Sequence, residues 1–96
     1  MVWWIIYDIA APKRLRNVAR LCQSAGLRRI QKSVFAGVMS QERIMSLREA
    51  LIQWIDCEED KILLFQVSAK EIRSAISLGT DSCMGELAET GEFRII

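Results

Sequence analysis

The stretch Val2-Trp3-Trp4-Ile5-Ile6-Tyr7-Asp8 decides how this chain is read. Six apolar or aromatic residues run without interruption and end on a carboxylate. Such a run is too short for a membrane span or a signal h-region, and no basic segment precedes it. It reads as a strand apolar on both faces. Lys61 to Val67 repeats the pattern. Between the two runs, Pro12 suits a first helical position, and Leu15, Val18, Ala19, Cys22 and Ala25 recur at helical spacing up to a stop at Gly26. Arg28 to Met39 alternates as extended chain, with Gly37 marking a bend or bulge, so one kinked strand or two short ones are expected.

Ser40 can cap a second helix, with Glu42 placed well for its dipole. Ile44, Leu47, Leu51, Trp54 and Ile55 form its apolar stripe, and the acidic turn Asp56 to Asp60 ends it. A short helix is expected over Glu71 to Leu78, then a loop over 79 to 91 and a terminal strand over Glu92 to Ile96. Two long helices cover one sheet face and leave the other bare, and a bare apolar face on a small domain marks an interface. The expected architecture is a single α+β domain over residues 1–96, a ferredoxin-like sandwich whose antiparallel sheet is covered by two helices on one face. Its other face is buried in a homodimer, and the terminal strand is added to the partner's sheet.

The chain has 96 residues, 51% hydrophobic and 26% charged, with one proline and five glycines. Those values fit one globular core and argue against disorder. Histidine is absent. That excludes a Ser-His-Asp triad, a His-paired cysteine nucleophile, an H-E-x-x-H zinc site and any histidine general base. Three cysteines, Cys22, Cys57 and Cys83, lie far apart without a C-x-x-C pair. Reduced thiols in a cytoplasmic protein are expected.

The net charge of +1 hides an asymmetry. Residues 9 to 41 contain Lys13, Arg14, Arg16, Arg20, Arg28, Arg29 and Lys32 and no acid at all, whereas residues 42 to 96 hold eleven carboxylates against six basic residues. At 100° per residue, Lys13, Arg16 and Arg20 lie within about 60° of one another, opposite the apolar stripe. A cationic ridge on a nearly neutral protein suggests a polyanion such as nucleic acid, held by its backbone phosphates. The alternative is a solvated helix face balanced by the acidic half of the molecule.

Asp8 is the only carboxylate in the first 41 residues. It is either a helix-entry residue or a metal ligand and functional acid. One carboxylate does not hold Mg²⁺ tightly, but a two-fold axis beside Asp8 would supply a pair. Phosphate-loop patterns G-x-x-x-x-G-K-[ST] and G-x-G-x-x-G are missing. Trp3, Trp4 and Trp54 read as core or dimer residues, and Phe35 as either core or a base-stacking platform.

Ile6-Tyr7-Asp8-Ile9, Lys13-Arg14-x-Arg16-x-Val18-Ala19 and Gly26-Leu27-Arg28-Arg29-Ile30-Gln31-Lys32-Ser33-Val34-Phe35-x-Gly37 together resemble the small CRISPR-associated metal-dependent endoribonuclease family, the non-integrase subunit of the spacer-adaptation machinery. The resemblance runs from residue 2 to about residue 67. It implies a ferredoxin-like homodimer, Mg²⁺ (or Mn²⁺) held between paired aspartates, and association with the CRISPR integrase. Asp8 matches the metal-binding, catalytic aspartate. Tyr7, Arg14, Arg16, Arg29 and Phe35 match positions used around the cleft. Family members often carry a Glu after S-V-F where this chain has Ala36, so no second carboxylate is assigned there. The resemblance implies either an endonuclease acting on single-stranded RNA or DNA, or a non-catalytic adaptor bridging integrase dimers. A toxin ribonuclease of the virulence-associated D type shares the fold class by resemblance.

Overall fold

The computed structural model describes residues 2–76, 78 and 79. Its elements follow the order β1 (Val2–Asp8), α1 (Pro12–Ser24), β2 (Arg28–Gln31), β3 (Val34–Val38), α2 (Gln41–Trp54), β4 (Lys61–Val67) and α3 (Ala69–Arg73). The strands form one antiparallel sheet in the order β2-β3-β1-β4. This is the ferredoxin-like α+β sandwich, with β1 at the centre between β3 and β4. The expected loop over 79–91, the strand over Glu92–Ile96 and Cys83 lie outside the described residues.

Alternation along β1 assigns the two sheet faces. Ile5 and Tyr7 enter the core beneath α1 and α2, together with Phe35 from β3, Val18 and Cys22 from α1, and Leu47 from α2. Phe35, Ile5 and Ile44 have essentially no exposed surface. Each such side chain stabilises the fold by about 1.5–3 kcal/mol through burial. Val2 and Trp4 point the other way, and there Val2 meets Ala36 and Ile72. So α3 covers one end of the second face. The rest of it is open: Ile6, Val38, Leu63 and Phe65 are all exposed, and Trp4 stacks on Phe65 with ring centroids 6.5 Å apart.

Three boundaries differ from the sequence reading. The break between β2 and β3 falls at Lys32-Ser33, where Ser33 takes φ 66°, and the irregularity in pairing lies between Arg29 and Gln31. Gly37 sits inside β3 instead. A Cβ there would meet Leu27 Cδ2 at 3.0 Å, so glycine is required by close packing and not by a bend. The third helix begins at Ala69 because Ser68 and Glu71 form a capping box, and it ends at Arg73, short of Leu78. Trp54 closes α2 with its side chain half exposed, outside the stripe formed by Ile44, Leu47 and Leu51.

Candidate functional site

Asp8 ends β1 on the open sheet face, since it shares parity with Val2 and Trp4. It is exposed. The helix that follows is capped by Ala11, with Pro12 at its start and no side-chain cap. The helix-entry role is therefore not filled by Asp8. Among the described residues its carboxylate accepts no hydrogen bond and closes no ion pair, although Lys61 is its direct partner across β1 and β4.

The backbone just after Asp8 is held by a buried carboxylate from the far end of the chain. Asp60, whose side chain has no exposed surface, accepts the Ala10 amide at 3.0 Å. It also accepts the Asp56 amide at 2.9 Å. Arg14 donates Nε to Asp60 Oδ2 at 2.7 Å and Nη2 to Oδ1 at 3.2 Å, with Glu59 Oε2 a further 3.1 Å from Nη2. Arg14 holds the Asp60 carboxyl well below the usual carboxylate range, helped by the two backbone amides against the cost of burial. The same bonds push the guanidinium further up.

This arrangement corrects three of the expected nucleic-acid contacts. Arg14 is engaged with Asp60 and Glu59 and is a clasp between α1 and the turn before β4. Phe35 has no exposed surface and Tyr7 only 4%. They stack on each other at 6.3 Å inside the core, so neither ring presents a face to a base. Tyr7 goes inward because it alternates with Ile6 and Asp8, and its backbone amide donates to Ser33 O.

The other basic residues are exposed or partly so. Lys13, Arg16 and Arg20 line α1, Arg28 and Arg29 lie in β2, and Lys32 occupies the turn. The guanidinium of Arg29 stands 5.2 Å from the Phe35 ring centroid, which places it over the helix side of the sheet. Arg28 pairs in register with Ala36 and so lies on the open face. Because α1 starts just after β1 ends and runs back over the sheet, Lys13 and Arg16 share an end of the domain with Asp8 but not a face. The sequence reading missed Asp60 and Lys61. The signal for Asp60 was only its neighbourhood of acids, and for Lys61 its place at the edge of an apolar strand.

Three or more His, Cys, Asp or Glu side chains grouped to hold a metal do not occur among the described residues. Asp8 is thus one free oxygen-donor group, not a complete site. Cys22 is buried and its thiol is pushed up to about 12 by that burial, while Cys57 is exposed. No helix among the described residues is long and apolar enough to cross a membrane.

Comparison with known proteins places this geometry. A CRISPR-associated endoribonuclease Cas2 of Moorella thermoacetica is 35% identical over 68 residues, covering 66% of this chain and 70% of its own. One of Desulforudis audaxviator is 32% identical over 84 residues, covering 88% and 79%. The crystal structure of Streptococcus pyogenes Cas2 superimposes with a TM-score of 0.73 at 32% identity, over 82% of this chain and all of that one. The family described as CRISPR associated protein Cas2 matches residues 1–75. That match takes in both the strand ending in Asp8 and the strand beginning at Lys61, and the chain belongs to the CRISPR-associated Cas2 family.

Proposed function

We propose that the protein acts in CRISPR adaptation as a homodimeric, metal-dependent endonuclease that hydrolyses phosphodiester bonds of single-stranded RNA, and of DNA by the same chemistry. One observation carries this reading. Asp8 is an exposed carboxylate, unengaged among the described residues, at the end of a sheet face whose Ile6, Leu63 and Phe65 are uncovered. Packing that face against a second copy buries the apolar patch and supplies a second Asp8. Two carboxylates and water are the oxygen donors that Mg²⁺ or Mn²⁺ takes, so the donor type fits the ion. When bound, the ion would supply Lewis-acid charge for attack of water on phosphorus. Lys13, Arg16 and Arg20 hold the backbone, which accounts for a basic ridge without a base-reading element. Such work with nucleic acid belongs in the cytoplasm.

A second reading is favoured by the single carboxylate that each chain offers: a non-catalytic adaptor that bridges CRISPR integrase dimers and supports the DNA being inserted. One experiment separates the two. Asp8→Asn keeps the shape and removes the charge. The nuclease reading expects cleavage of single-stranded RNA in Mg²⁺ to disappear while the dimer persists by light scattering. Equal cleavage by wild type and variant leaves the adaptor. A monomer of wild type at micromolar concentration defeats both.

A further inference from the structure

Lys61 has no part in the chemistry proposed for Asp8, yet it is the residue that faces Asp8. The two are register partners across β1 and β4. Their Cβ atoms in such a pair stand about 4.5–5.5 Å apart on one face. Both are exposed. Opposite charges in this relation normally close on each other, and among the described residues these do not. The other strand cation on the open face is Arg28, which lies in the row of Ala36 and Trp4, two strands from β1.

The placement of Lys61 is imposed from behind. Asp60 reaches the helix side of the sheet, where it is clasped by Arg14 and the Ala10 amide. In an extended chain the next side chain must point the opposite way. The clasp therefore fixes the strand end on both sides at once: Ala10 sets the exit from Asp8, and Asp60 turns Lys61 outward beside it. Lys61 thus stands on a fixed base with a free ammonium.

We propose that Lys61 is a phosphate-binding residue of the Asp8 site, its ammonium taking a non-bridging oxygen of the phosphodiester that lies between the two side chains. This rests on the reading of Asp8 as the metal-binding carboxylate. A carboxylate repels a phosphodiester, and a divalent ion offsets that only where it touches. Charge that builds on the non-bridging oxygens during displacement needs a second cation positioned beforehand. A compact ammonium on a long stem meets that need as a point charge.

The test uses the full chain. In an Asp8→Asn background, which separates binding from cleavage, fluorescence anisotropy is measured with a labelled single-stranded uridine oligonucleotide across a salt series. Lys61→Met should weaken binding several-fold and flatten the log–log salt slope by about 0.7 for each phosphate it no longer neutralises. Lys61→Arg should restore both. With Asp8 intact and Mg²⁺ present, Lys61→Met should raise KM or lower kcat, with the melting temperature unchanged. If Lys61→Met binds with the parent's affinity and slope, the assignment is overturned whether or not Asp8 proves catalytic. If Asp8→Asn and wild type cleave equally, the metal reading fails, and the salt slope still decides Lys61.

Discussion

Arg14 Nε and Asp60 Oδ2 meet at 2.7 Å, joining the first turn of α1 to the residue before β4 across 46 positions of sequence. This bond closes the sandwich at the end where Asp8 stands. The depressed Asp60 carboxyl means that the folded state favours the ionised form. An unfolded carboxylate titrates near 3.9, so the contribution is fully present above about pH 4 and is lost as acid drives the folded group through its lower value. Asp60→Asn should lower the melting temperature at neutral pH and flatten its decline below about pH 4. Parallel melting curves for the two proteins across that range would contradict the assignment.

The engagement of Arg14 separates it from the rest of the basic surface. Arg14→Met should destabilise the fold, because it strips the buried Asp60 carboxylate of its cation. Its salt slope for single-stranded RNA should stay at the wild-type value. Arg16→Met and Arg20→Met should behave in the opposite way, with unchanged melting and a shallower slope. A shallower slope for Arg14→Met would return it to the phosphate-binding residues.

These contrasts show what the chain reveals and what it conceals. β1 and β4 were legible because their apolar runs are continuous, and α1 and α2 because their stripes repeat at helical spacing. Arg14 lies about 100° around the helix from Lys13, off the ridge. Its partner, however, sits 46 residues away, and periodicity carries no trace of it. Phe35 was ambiguous because its face depends on the parity of β3. That parity follows from the turn at Ser33, which adopts a left-handed backbone without the glycine or asparagine that usually announces one. Asp8 was legible by isolation alone, as the one acid among the first 41 residues.

Phe35 is a core residue beneath the two long helices. Phe35→Ala should cost about 3–5 kcal/mol, measured by denaturant unfolding, through the burial removed and the cavity left behind. Arg29, whose guanidinium packs over the ring, should lose its fixed position in the same variant. The protein that remains folded should bind nucleic acid at near wild-type affinity. A binding defect with unchanged stability would revive the stacking role.

Gly37 offers a sharper packing test. A methyl group there would stand 3.0 Å from Leu27 Cδ2 and 3.5 Å from Leu27 Cα. The side-chain atom can give way, but Leu27 is itself buried and its backbone cannot retreat. Gly37→Ala should therefore destabilise by roughly 1–3 kcal/mol, as overpacking does. Shortening the neighbour should relieve the clash, so Gly37→Ala with Leu27→Val should be less damaging than the two single costs added together. Strict additivity in denaturant unfolding would show that the glycine serves β3 by backbone freedom instead.

Cys22 and Cys57 give the last contrast. Cys22 has no exposed surface, and burial raises its thiol to about 12, whereas Cys57 is exposed. The thiolate is the reactive form, so a maleimide should label Cys57 of the native protein rapidly and reach Cys22 only through unfolding. A Cys83→Ser background limits the readout to these two. The same shift predicts an alkaline limit. Folding keeps Cys22 protonated, while the unfolded chain releases the proton from about pH 8.5 upward. The contribution of Cys22 is thus full below that value and falls as pH climbs toward the folded value of about 12. Cys22→Ala removes the titrating group at the expense of a small cavity. The variant should therefore be less stable than wild type at neutral pH, and should lose less stability as pH rises to about 10.5, two units above the unfolded value. An unchanged difference between the two proteins over that interval would mean that the Cys22 thiol titrates alike in the folded and unfolded chain.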